Sequence, residues 1–169
     1  MSGRLWYPQL DVYDAIRRIA GLLAFWNAAS PPSQEQLYIA DFYLANPPLL
    51  HKTHMSREVR NEFGTLGITR PEKSFVVYPS APVLFQKMDE VQRQAFRTLT
   101  GKGLIDLPNL ERGIIKPSPA GSALFEERFV PLFGEAERKL AQFIANSFAR
   151  GGEHIGALRR STGLRRVGR

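Results

Sequence analysis

The chain has 169 residues, 43% hydrophobic and 23% charged, which is the make-up of an ordinary folded domain with enough length to bury a core. It has no cysteine, so a disulfide framework and thiolate chemistry are excluded; no apolar run reaches the ~18 residues of a membrane span, and the start M-S-G-R-L-W-Y-P lacks the basic-then-apolar pattern of a signal peptide, which fits a cytoplasmic protein. The net charge of +7 is lopsided: from Arg150 onward six arginines face one acid, Glu153, and this segment holds five of the seven excess charges.

In chain order, residues 4–10 (R-L-W-Y-P-Q-L) read as an extended aromatic arm, because Pro8 disfavours a helix at Tyr7. Trp6 and Tyr7 lie either across the body of the domain or against a partner. Asp11 is a good N-cap, and Asp14 places a carboxylate in the first turn, where the helix dipole favours it. The helix that follows, over residues 11–28, is apolar around most of its circumference, with Asp14, Arg17, Arg18 and Gly21 as a narrow polar stripe, the pattern of a central helix buried on several sides. Ser33 and Gln36 have capping-box spacing and open a second helix that stops at Asn46-Pro47-Pro48. Asp41, inside that apolar helix, is expected to pair with Arg17 or Arg18.

A third helix over residues 56–66 turns Met55, Val59, Phe63 and Leu66 to one side, and Gly67 suits its C-terminal cap. F75-V-V-Y78 reads as a short strand or extended segment. A helix over residues 82–100 carries Leu84, Met88, Val91, Ala95 and Leu99 on one stripe and ends at Gly101 and Gly103. Leu104 and Ile105 then open a strand, residues 108–113 form a tip, Gly113 to Lys116 return, and Ser118-Pro119 starts the next helix. An amphipathic helix over residues 135–149 precedes Gly151-Gly152.

Helix, two-stranded wing, helix is the back half of a winged helix-turn-helix. The expected fold is therefore mainly α with a small β-wing, a winged helix-turn-helix with additional N-terminal and C-terminal helices, in a domain over residues 1–150 followed by a basic, flexible tail over residues 151–169.

No catalytic constellation, cofactor motif or metal set can be assembled. H51-K-T-H54 has no acid or cysteine near it, whereas zinc needs three or four ligands, and there is no phosphate loop or dinucleotide fingerprint. The expectation is a protein without enzymatic activity. The expected recognition helix offsets Lys87, Arg93 and Arg97 with Asp89 and Glu90, a balance that suits protein docking better than phosphate contact. The candidate contact residues are Trp6 and Tyr7 of the arm and Arg159, Arg160, Arg165 and Arg166 of the tail, which meets nucleic acid, an acidic partner, or only solvent.

Three stretches, W6-Y-P-Q-L-D-V-Y-D14, L37-Y-I-A-D-F-Y-L44 and F85-Q-K-M-D-E-V-Q-R-Q-A-F-R-T-L-T-G-K-G-L-I105, in this order and spacing, resemble the middle-component subunits of ABC three-component systems, of which the Lamassu antiviral systems are the best-known members. The resemblance covers residues 4–130 and departs at Asp14, where family members carry His. It implies a cytoplasmic, non-catalytic accessory subunit of an antiphage or anti-plasmid complex. Such a subunit binds an SMC-like or ABC-type ATPase and an effector nuclease, and any DNA contact runs through the basic tail or through the complex. The alternative is a winged-helix transcriptional regulator.

Overall fold

The computed structural model describes residues 7–74, 77–150 and 155–166. Among these, nine α-helices account for the architecture: α1 (Val12–Phe25), α2 (Gln34–Ala45), α3 (Arg57–Gly64), α4 (Ala81–Lys87), α5 (Asp89–Gly101), α6 (Leu107–Glu111), α7 (Pro119–Leu124), α8 (Glu135–Phe143) and α9 (Ile155–Thr162). Both α7 and α8 run on into single π-helical turns, Phe125–Phe129 and Ile144–Phe148.

Local chemistry sets the helix starts. Asp11 accepts from the amides of Tyr13 (2.8 Å) and Asp14 (3.1 Å), and Ser33 and Gln36 close a reciprocal capping box. Ser118 accepts from Gly121 N at 3.0 Å, with Pro119 in the first turn.

Helix α1 runs through the middle and packs on α2, α5, α8 and the turn after α7. Its Ala15, Ile19, Ala20 and Leu22 are fully buried, and α2 is buried on every side from Gln36 to Leu44. Gly21 lies on the stripe expected to be polar, yet it serves packing. A Cβ there would fall 2.2 Å from Cζ of Phe133, whose ring also meets Phe25 edge-on at 5.8 Å. Each large apolar side chain in this core contributes roughly 1.5–3 kcal/mol by burial.

The wing is absent. Among the described residues no strand forms, and a single antiparallel bridge joins Ile105 to Pro117. Two hydrogen bonds flank it, Asp106 N to Lys116 O (2.9 Å) and Ser118 N to Leu104 O (3.0 Å). The ladder stops there because Leu104 N, which would extend it, is committed to Leu99 O at the end of α5 (3.0 Å), and Ile115 N, on the outer edge, bonds Pro32 O at 2.9 Å. The expected tip folds as helix α6 instead, because Asp106 caps it through Asn109 N (3.1 Å) and Pro108 sits in its first turn. The winged helix-turn-helix is thus replaced by an all-helical fold.

Three further segments also differ from expectation. The helix expected over residues 82–100 breaks at Met88 into α4 and α5, where ψ opens to −9°. Of the short strand or extended segment expected at residues 75–78, Phe75 and Val76 lie outside the described residues, and Val77 and Tyr78 form no strand. The segment expected as a tail forms α9 and a strap through Arg166, with Leu158 and Leu164 buried.

Candidate partner interface

The arm enters the body as a 3-10 turn, Pro8–Leu10, closed by Leu10 N to Tyr7 O (2.9 Å) and Asp11 N to Pro8 O (3.2 Å). It forms one wall of a groove of about 360 Å³, whose opposite wall is Val77, Tyr78, Leu84 and Lys87. Tyr7 is 51% exposed, Leu10 44% and Val77 93%, so three large apolar side chains meet water together at this groove. Trp6 lies outside the described residues.

Behind the arm sits a buried charge cluster. Arg18 is 1% exposed; its Nε and Nη2 donate to the two oxygens of Asp41 at 2.7 and 3.3 Å. Its Nη1 donates to Asp14 Oδ2 at 2.6 Å and to Pro8 O at 3.1 Å, so the same guanidinium tethers the arm. Burial opposes the Arg18 charge, but Asp41 and Asp14 outweigh it and raise its pKa above the usual arginine value. Arg17 takes the other oxygen of Asp14 at 2.9 Å and pairs with Glu137 of α8. The sequence left Arg17 and Arg18 open as partners of Asp41; geometry selects Arg18. Gln92 of α5, fully buried, donates to Asp41 Oδ2 and to Tyr38 O, both at 2.9 Å.

The arginines singled out in the sequence divide into two pairs. Arg159 pairs with Glu35 of α2, and the amide of Arg166 adds a 2.9 Å bond to Glu35 Oε1. Burial alone would raise the Glu35 pKa, but these partners hold it below the ordinary carboxylate value. The Arg166 side chain, 9% exposed, fills a socket on the body: its guanidinium lies 3.7 Å from the centre of the Phe85 ring, Nη1 donates to Phe85 O at 2.9 Å, and Nη2 donates to Gln92 Oε1. Its Nε stands 3.2 Å from Asp89 Oδ1 in ion-pair contact but without hydrogen-bond geometry. Burial pushes the Arg166 pKa down, yet an arginine stays charged. Arg160 and Arg165 are exposed.

Sequence reasoning had no local cue for Gln92, Phe85 and Glu35 as the seat of the strap, since they meet it across 74 to 131 residues of chain. The one available signal was the apolar spacing Ile155, Leu158 followed by Thr162-Gly163, a short helix with its stop; Gly163 has φ +72° and supplies the left-handed turn. His51 is structural: its Nε2 meets Ile68 O at 2.7 Å and its ring packs edge-on against Phe63. Among the described residues no group of three or more His, Cys, Asp or Glu is placed to hold a metal, and no helix is long and apolar enough to cross a membrane.

Comparison with known proteins agrees with this reach of the fold from arm to strap. The profile of the family described as ABC-three component (ABC-3C) system Middle Component 5 matches residues 4–164. No curated protein and no solved structure matches the chain. The matched span takes in the arm, all nine helices and the strap as far as Leu164, and the chain belongs to the ABC-three component system Middle Component 5 family.

Proposed function

We propose that this chain is a non-catalytic adaptor of an antiphage or anti-plasmid defence complex, bridging an SMC-like or ABC-type ATPase and an effector nuclease in the cytoplasm. Family membership over residues 4–164 carries the reading, because a middle component works alongside the other components of its system. The groove between the arm and α4 is the face we assign to the ATPase. Tyr7, Leu10 and Val77 expose apolar surface there, which a partner would cover, and Lys87 adds a cation at the edge. Exposed Arg160 and Arg165 are the residues we assign to any DNA contact. The regulator alternative rested on the wing, which the fold replaces with α6, and is not carried forward.

Co-expression of the chain with the genes that flank it tests the proposal. A tagged chain is expected to retain a large ATPase through gel filtration at physiological salt. Replacing Tyr7, Leu10 and Val77 together with Ser is expected to lower capture by about tenfold or more, the scale of losing an interface anchor. Elution of the chain by itself, or capture unchanged by the triple substitution, refutes the assignment.

A further inference from the structure

The two terminal segments are joined through the centre of the protein by side chains alone. Arg166 donates to Gln92, Gln92 donates to Asp41, Asp41 accepts from Arg18, and Arg18 holds the carbonyl of Pro8. The three middle members are Arg18 at 1% exposure and Asp41 and Gln92 at 0%. No water route replaces a lost link at such burial, so each member depends on its neighbours.

Gln92 makes the chain directional. Its Oε1 accepts a hydrogen bond from Arg166 Nη2 while its Nε2 donates to Asp41 Oδ2 and Tyr38 O. If Arg166 leaves, Oε1 is a buried acceptor without a donor. Turning the amide over offers no escape, since it would aim Oε1 at the Asp41 carboxylate and the Tyr38 carbonyl. Charge adds to this. Arg17 and Arg18 with Asp14, Asp41 and Glu137, and Arg93 and Arg166 with Asp89, form two sets of ion pairs that Gln92 bridges, four charges of each sign in all. Withdrawing Arg166 leaves one negative charge in excess beside the core. The rearrangement falls on Asp41 and Arg18, and Arg18 holds the arm at Pro8 O, beside a weaker tie from Gln9 Nε2 to Asn46 Oδ1 at 3.4 Å.

We propose that the C-terminal strap and the N-terminal arm are coupled through Arg166, Gln92, Asp41 and Arg18, and that the socket under Arg166 is the control point, specific for a guanidinium group. A partner that seats on the arm groove tightens the strap, and one that draws Arg166 out loosens the groove, by the same factor in either direction. This role for a partner rests on the groove being the docking face; the coupling itself is a property of the chain alone and is measured without a partner.

The test is amide hydrogen exchange on the full chain, read at Leu10 and Asp11, whose amides close the arm turn, together with the Nε–H resonance of Arg18. Arg166→Ala is expected to speed exchange at both amides by about tenfold and to shift the Arg18 resonance, while exposed Arg160→Ala changes neither. Gln92→Met is expected to loosen the arm similarly, and Arg166→Ala made in that background to add nothing further. Ethylguanidinium is expected to restore protection in Arg166→Ala, and ethylammonium at equal concentration to fail. An arm unchanged by Arg166→Ala, effects that simply add in the double variant, or rescue by both cations or by neither overturns the proposal. Intact coupling with no ATPase capture overturns only the docking assignment.

Discussion

Replacing Asp41 with Asn removes one charge from the centre of the fold while keeping its shape. Arg18 then remains a cation at 1% exposure, and its Nε and Nη2, now 2.7 and 3.3 Å from a carboxylate, face a neutral amide. Breaking a buried pair from one side costs about 3–5 kcal/mol. Asp14 still accepts from Arg18 at 2.6 Å but is shared with Arg17, so the expected loss lies near the lower end, about 3 kcal/mol. For a domain of this size that lowers Tm by roughly 6–12 °C. Urea unfolding followed by far-UV circular dichroism measures it, with an unchanged slope showing that the native and denatured states keep their extent. A companion variant, Arg18→Met with Asp41→Leu, removes both charges and is expected to recover most of the loss, because the cost lies in the unpaired cation and not in the missing attraction. A loss below about 1 kcal/mol for Asp41→Asn would place the pair in the class of exposed ion pairs and refute the reasoning. So would a double variant no more stable than the single one.

Two further predictions concern the replaced wing and the strap. A Cβ on Gly121 would fall 2.0 Å from the carbonyl oxygen of Leu104, so Gly121→Ala is expected to cost about 3 kcal/mol by forcing α7 off the Leu104–Ser118 contact. Gly101→Ala, with nothing within 4 Å, is expected to gain about 0.5–1 kcal/mol; equal urea midpoints for the two variants would refute the close approach. Glu35 has a depressed folded-state pKa, so its hold on Arg159 and Arg166 is complete above the ordinary carboxylate range and is lost as pH falls through the folded value. Exchange protection over residues 155–166 is therefore expected to drop under acid in the parent chain. Glu35→Gln should remove that drop, and an identical acid profile in both refutes the assignment.

The parts of the fold that depend on neighbouring residues were legible. The Asp11 cap, the Ser33–Gln36 box and the Ser118-Pro119 start are each decided within three residues, and each is present. The pairing of Asp41 was legible because a carboxylate in an all-apolar helix must find a cation. The wing failed where short-range pattern competes with backbone supply. Ile105 and Ile115 look like strand residues, but Leu104 N is taken by Leu99 O at the end of α5 and Asp106 caps a helix through Asn109 N. The strap failed for a different reason. Its composition reads as solvated, and the residues that hold it, Glu35, Phe85, Asp89 and Gln92, are ordinary members of other helices until the fold gathers them.

That gathering changes how the basic segment has to be interrogated. Arg159 and Arg166 are committed to Glu35, Asp89, Gln92 and the Phe85 ring, and only Arg160 and Arg165 of the four named arginines are free to meet phosphate. Exchanging all four for Ala would remove the strap and the exposed charges together, and weaker DNA binding would then report unlatching as readily as lost contacts. Arg160→Ala with Arg165→Ala isolates the electrostatic question, since two phosphate contacts are worth a change of roughly 1.8 in the slope of log affinity against log salt. Arg166→Ala isolates the conformational one, since its guanidinium is buried and its loss should leave that slope where it was.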